Sequence, residues 1–175
     1  MVTSATIAER TAADAVWDLL RSIPDPEIPV ISICDLGIVR EVSADDLRTE
    51  IVITPTYSGC PAMQVIEDDI RSKLAAGGFA DVHIKTVLSP AWTTDWMTDA
   101  GKAKLTSYGI APPTHKVAGD GAAIVRFVTR RHAGPACPQC GSYDTERLSE
   151  FGSTACKALY RCVECREPFD YFKPI

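Results

Sequence analysis

Two Cys-x-x-Cys pairs, Cys137-Pro138-Gln139-Cys140 and Cys162-Val163-Glu164-Cys165, stand twenty-one residues apart in the last quarter of the chain. Such a spacing is a recognised zinc arrangement. A tight turn aims two thiolates at one point, and two turns on neighbouring hairpins complete a tetrahedron. Gly141 follows the first pair, where the turn needs a residue that tolerates positive φ. Between the pairs, Phe151-Gly152-Ser153 reads as a hairpin tip and residues 155–161 as a returning strand. Four protein thiolates leave no open coordination position, so a zinc held by Cys137, Cys140, Cys162 and Cys165 would be structural. The same sulfurs could hold a small iron–sulfur cluster, and metal-free thiols are the third reading.

Seven cysteines in 175 residues is an odd number and unevenly placed, with Cys34 and Cys60 alone and Cys156 crowded among the four. A disulfide framework explains such a set poorly in a chain whose first residues, Met1 to Arg10, lack the basic-then-apolar pattern of a secretory signal. The expected compartment is the cytoplasm. If residues 155–162 are extended, Cys156 lies about 20 Å from Cys162 and cannot share its ion. It is then either a small residue packed in the ribbon or an additional, independent thiol.

Charge divides the chain in the same place. Residues 1–115 carry 9 basic and 16 acidic side chains, and residues 116–175 carry 9 and 7, for an overall charge of −5. An acidic chain with a pI near 5.2 is a poor nucleic-acid partner, because binding requires clustered Lys and Arg. No apolar run approaches the roughly 20 residues of a membrane span, so no membrane association is expected. At 46% hydrophobic and 23% charged, the composition is that of a folded protein. The Pro- and Gly-containing stretch from Ala111 to Gly121 suggests three parts: an α+β domain over 1–115, a linker and connecting strand over 116–133, and a four-cysteine ribbon over 134–175.

Periodicity supplies the elements of the first part. Ala12, Ala15, Val16, Leu19 and Leu20 recur at helical spacing behind a Thr11/Asp14 capping box, and the helix must end by Ile23, ahead of Pro24. Residues 37–42 and 47–54 read as two strands around a polar turn, with Leu47, Thr49, Ile51 and Ile53 on one face. A helix from Pro61 to Ala76 presents Ala62, Val65, Ile66, Ile70 and Leu74 and stops at Gly77-Gly78. Val82, Ile84, Thr86 and Leu88 alternate as a further strand, and a last helix lies within residues 98–108 and closes at Gly109. The expectation is a small sheet with helices packed on one face.

Several side chains could carry chemistry. Proline is favoured at the first position of a helix, so Cys60 before Pro61 is expected at the N-cap, where the backbone N–H groups and macrodipole would acidify its thiol. The polar turn ahead of it contains Thr54 and Thr56. Asp25-Pro26-Glu27 offers two carboxylates in a rigid turn. Trp92 and Trp96 are four apart and suit either a core or a partner-docking surface. His83, on the outward face of its strand, and His115 read as side chains without a special role. No phosphate loop, nucleophile elbow or His-rich metal helix is present, which favours a non-catalytic accessory role.

The runs Asp25-Pro-Glu-Ile-Pro-Val, Asp35-Leu-Gly-Ile-Val and Thr54-Pro-Thr-Tyr-Ser-Gly-Cys-Pro-Ala-Met63 resemble the SufT-like family of iron–sulfur assembly factors. With Ser89-Pro-Ala-Trp-Thr-Thr-Asp-Trp96, Tyr108-Gly-Ile-Ala-Pro-Pro113 and Phe151-Gly-Ser-Thr-Ala-Cys-Lys157, the likeness extends from about residue 12 to the last residues. It is similar there to the branch of that family that accompanies a multicomponent oxygenase, the phenylacetyl-CoA ring 1,2-epoxidase of aerobic phenylacetate degradation. The resemblance implies assembly or insertion of the iron–sulfur cluster of that system's flavin-containing reductase, with the reductase as partner and a transient cluster or iron as cargo. It also implies that Cys60 matches the family's reactive cysteine and that Asp25 and Glu27 belong to its motif. Cys34 lies outside that motif. An electron-handling component of the epoxidase and an interaction scaffold are the two alternatives.

Overall fold

In a computed structural model of the chain, residues 11–45, 47–114 and 134–175 are described. The linker and connecting strand expected over 116–133, His115 and the N-terminal ten residues fall outside them.

Helix α1, Ala12–Leu20, starts as its sequence dictates. Thr11 accepts the backbone N–H of Asp14, and the Asp14 carboxylate accepts the Thr11 N–H at 2.9 Å, so two orphan donors of the first turn are satisfied. Strand β1, Val39–Ala44, pairs antiparallel with β2, Thr49–Ile53, and β2 pairs parallel with β3, Val82–Thr86. The central strand β2 buries Thr49, Ile51 and Ile53 on alternate positions. Helix α2, Met63–Ala76, crosses between β2 and β3 and buries Ile66, Ile70 and Leu74 at four-residue spacing. Leu88, expected to extend β3, lies beyond its end and is exposed. Helix α3, Asp99–Tyr108, is capped by Thr98, whose hydroxyl accepts the Gly101 N–H, and ends at Gly109 with φ +91°.

Much of the core comes from a segment without regular structure. Ile23, Ile28, Ile31, Ile33, Leu36 and Ile38 are all buried between α1 and β1. Gly37 turns this segment with φ +77°, and a Cβ there would stand 2.5 Å from the Trp96 carbonyl oxygen. Gly37→Ala should therefore cost about 1–3 kcal/mol through the left-handed backbone alone, before the Trp96 contact is counted. A urea-unfolding midpoint unchanged from wild type would refute this account.

A second sheet has the order β4-β7-β6-β5. Strands β5, Thr145–Ser149, β6, Lys157–Cys162, and β7, Pro168–Phe172, form an antiparallel meander. The edge strand β4, Ile110–Ala111, follows α3 directly and pairs parallel with β7, Ile110 opposite Asp170. The fold is α+β with a ribbon module, as the sequence indicates, and the ribbon's sheet takes in β4 as an additional edge strand.

The ribbon sheet is seated on the first sheet's core. Phe172 is fully buried in that core, 6.1 Å from the Trp92 ring centroid, and Cys156 is buried beside it. Trp92 donates its indole N–H to the Leu36 carbonyl at 3.1 Å, and Thr94 donates its backbone N–H to the Ile175 carbonyl. Among the described residues no helix is long and apolar enough to cross a membrane.

Candidate metal centre and thiol site

Two turns bring the four ribbon cysteines together. In the first, Gly141 donates its N–H to the Cys137 carbonyl at 2.8 Å and takes φ +75°. In the second, Arg166 occupies the equivalent left-handed position with φ +64°, and Cys162 donates its N–H to the Glu167 carbonyl. The four sulfurs all lie within 4.8 Å of one another, with Cys137 to Cys165 at 3.7 Å and Cys140 to Cys162 at 3.5 Å. A tetrahedral ion with bonds of about 2.3 Å to sulfur needs sulfurs about 3.8 Å apart. The residues present therefore fit one tetrahedrally coordinated ion. A multi-iron cluster, whose terminal thiolates sit on different irons, would spread them further. Cys137 and Cys162 are buried and Cys140 reaches the surface. A backbone N–H from Cys165 draws the Cys162 thiol down to about 7, whereas its neighbours hold the Cys165 thiol at about 12. Loading a metal onto this set must then displace protons.

Cys60 stands elsewhere, and its surroundings differ from expectation. Helix α2 begins at Met63 with Ala62 at its N-cap, two residues beyond Cys60. The thiol accepts the Ala62 N–H and the Thr56 hydroxyl, yet its burial pushes its pKa up, with Glu27 and Asp25 adding to the rise. The helix-terminus field expected to acidify it acts on Ala62 and Met63 instead, and desolvation by the surrounding turn outweighs the two donors. Iodoacetamide should thus react with Cys60 along a pH profile whose midpoint lies above that of a free cysteine. A midpoint below it would contradict this geometry.

Of the other candidate residues, Glu27, Thr56 and Asp25 act on this thiol. Thr54 and Thr56 are buried, Thr54 donating its backbone N–H to the Ile38 carbonyl. Asp25 is 5% exposed and folds its own turn, its Oδ1 accepting the N–H groups of Glu27 at 3.0 Å and Ile28 at 2.8 Å. Desolvation raises its pKa despite those bonds, and Glu27 is raised by burial and by Asp25. A raised carboxyl pKa means the folded state binds the proton more tightly than the unfolded one. Its favourable contribution is present at low pH and is lost as pH rises through the folded pKa. Asp25→Asn keeps the accepting oxygen and removes the charge, so it should raise the urea midpoint at pH 7 relative to wild type and leave it nearly unchanged near pH 3. An equal change at both values would refute the desolvation account.

Cys156 joins the same neighbourhood from the ribbon. It lies one residue ahead of β6, is 6% exposed, and sits 3.0 Å from the Thr154 hydroxyl. It packs in the first core, where the sequence suggests packing within the ribbon. The charges of Glu27 and Asp25 reach both Cys60 and Cys156, and both thiols act on the Tyr57 phenol. Sequence reasoning misses Tyr57 and Lys157 here, because nothing local signals a contact between residues a hundred positions apart.

The remaining expectations divide. Trp92 is 3% exposed, so its indole is a core group and not a docking residue; the hydrogen bond to Leu36 satisfies its only polar atom. Trp96 is half-buried and carries the Arg40 guanidinium over its ring at 3.3 Å. Cys34 is pushed to about 12 by burial, as an inert packed thiol would be. His83 is exposed and faces Asp81 at 2.9 Å.

The geometry is that of an α+β domain carrying a four-thiolate ribbon, and each part matches a described family. The family described as iron-sulfur cluster assembly protein matches residues 13–85, and the PaaD zinc beta ribbon domain matches residues 123–173. An Escherichia coli (strain K12) protein, named as the D component of 1,2-phenylacetyl-CoA epoxidase, is 50% identical over 162 residues, spanning 91% of this chain and 92% of that protein. An Fe-S protein maturation auxiliary factor of Porphyromonas gingivalis is 36% identical over 90 residues, 50% of this chain and 84% of its own. The crystal structure of a domain of unknown function, DUF59, from Bacillus anthracis superposes with a TM-score of 0.50 at 27% identity, over 53% of this chain and 90% of that one. The chain belongs to the PaaD family, which joins a SufT-like assembly domain to a zinc ribbon.

Proposed function

We propose that this protein is the D-type component of a phenylacetyl-CoA epoxidase system in the cytoplasm, and that it assembles or inserts the iron–sulfur cluster of the system's reductase. The likeness of nearly the whole chain to a protein named as that component carries the reading. The ribbon holds one zinc as a structural centre, since four converging thiolates leave no position for a reacting water. The cargo end of the molecule is Cys60 with Thr54 and Thr56, beside Asp25 and Glu27. There a thiol held neutral by burial becomes a ligand when a metal displaces its proton. The half-buried Trp96 with Arg40 over its ring contributes to the surface that meets the reductase.

Producing the reductase with and without this chain, and counting iron and sulfide per reductase, tests the role. Reductase made without it is expected to hold its flavin and lack its cluster, and Cys60→Ser is expected to act like its absence. Equal cluster occupancy in both preparations would overturn maturation. Should epoxidation still require the chain in that case, an electron-handling or scaffolding role takes its place.

A further inference from the structure

Two of the seven cysteines, Cys140 and Cys165, are exposed, and both belong to the four-sulfur set. Burial holds the thiols of Cys34, Cys60 and Cys156 above the usual cysteine range, so these three stay protonated near neutral pH. A metal ligand is the opposite case, since a bound sulfur is a thiolate, and the thiolate is the form that peroxides attack. With zinc in place, the solvent-facing thiolates of the chain lie at the ribbon centre. Across that centre Cys140 meets Cys162 at 3.5 Å. A disulfide needs about 2.05 Å, so the two sulfurs have about 1.5 Å to close. A groove of about 230 Å³, lined by Glu146, Arg161, Val163 and Arg166, opens beside Cys162, and Cys137 is not part of its lining. It has room for a reagent the size of a few waters.

We infer that Cys140 is an oxidation site, and that hydrogen peroxide converts it and Cys162 into a disulfide that ejects the ribbon's zinc. The inference rests on the zinc reading of the four-thiolate set and goes beyond the cargo role of Cys60. The Cys140 thiolate attacks one peroxide oxygen; an S–O bond forms, the O–O bond breaks, and the departing hydroxide takes a solvent proton to become water. The Cys162 thiolate then attacks the sulfenic sulfur. An S–S bond forms, the S–O bond breaks, and the second hydroxide leaves as water in the same way. The two sulfurs have given up two electrons, the peroxide has become two waters, and the zinc ion, its oxidation state unchanged, has lost two of its four ligands. Cys137 and Cys162 are two of the five buried members of the small core beneath, so loss of the ion loosens the meander. Phe172 ends β7 and packs on Trp92, so the loosened strand also leaves the shared core. A thiol reductant and zinc reverse both steps. The ribbon is a peroxide-sensitive clasp on the first domain.

The test treats the full zinc-loaded chain with hydrogen peroxide, follows zinc release with a metal-sensitive dye, and maps thiols by alkylation and mass spectrometry after denaturation. One zinc per chain should leave in step with the loss of two thiols. The disulfide should join Cys140 to Cys162, while Cys34, Cys60 and Cys156 are alkylated as free thiols. Strands β5 to β7 should lose hydrogen-exchange protection on oxidation and regain it with dithiothreitol and zinc. Cys140→His keeps a nitrogen ligand for zinc and removes the oxidisable sulfur, so release should slow at least about tenfold. If that variant holds no zinc, the wild-type disulfide map decides. Zinc retained while Cys60 or Cys156 is oxidised, or a disulfide that leaves Cys140 out, would overturn the oxidation site and leave the structural zinc standing. A wild-type chain that binds no zinc would overturn both.

Discussion

Cys137→Ser is expected to take the ribbon from one bound metal to none and to unfold its meander. The small core under β5, β6 and β7 consists of Ala111, Cys137, Cys162, Phe169 and Tyr171, so two of its five buried members are themselves metal ligands. Tyr160 stacks on Phe169 at 6.0 Å and meets Tyr171 edge-on at 5.5 Å, and little other apolar mass is available. Structural zinc in comparable sites contributes about 10–16 kcal/mol of apparent binding energy, which here is folding energy for the ribbon. Elemental analysis should find the metal gone, and hydrogen exchange should show β5 to β7 unprotected while α1, α2 and the first sheet remain slow. Stoichiometric zinc in the variant, or a protected meander without it, would overturn the structural assignment. Iron in place of zinc in the wild type would change the ion and leave the mechanical argument standing.

Phe172→Ala should be the most damaging change away from the metal. The ring is fully buried at the seam, against Trp92, and its removal leaves a cavity that neither module can fill alone. Large-to-small changes of this kind cost about 3–5 kcal/mol. The ribbon should keep its ion, because Phe172 lies outside the core that surrounds the ligands. Phe151 provides the comparison: it is 64% exposed, with Lys173 over its ring at 4.5 Å, and its replacement by alanine should shift stability by about 0.5 kcal/mol or less. Equal unfolding midpoints for the two variants would refute the view that the modules share a core.

What the sequence discloses is mostly what is local. The Thr11/Asp14 box, the Gly109 stop and the alternation of Thr49, Ile51 and Ile53 through β2 are all written within a few residues and form as read, whereas Leu47, read onto the same face, lies outside the strand and is exposed. The four-cysteine set is legible for the same reason, since each turn is four residues long and Gly141 marks its backbone. Cys60 shows the limit. A proline after a candidate cap names a helix start, but α2 winds up two residues later, and burial of the thiol depends on the turn that folds over it. Trp92 and Cys156 fail to declare themselves because their partners lie far along the chain: Phe172 for one, the Asp25 turn for the other. Strand β4 is two residues long and pairs with residues sixty positions on, so no periodicity announces it.

That parallel pairing of β4 with β7 has a consequence for the order in which the molecule is made. While the chain leaves the ribosome, α1, α2 and the first sheet can assemble from residues already in hand, whereas Ile110 has no strand to join and Trp92 no ring to meet until Phe172 has emerged. Cys60 is thus synthesised nearly a hundred residues before Cys156 joins the core against which it packs. A nascent chain therefore passes through an interval in which the turn around Cys60 lacks the ribbon residues that complete its core, and that interval ends only when the ribbon has docked. Because two of the four converging thiolates belong to the ribbon's own small core, metal supply to the ribbon sets the moment at which the shared core is complete.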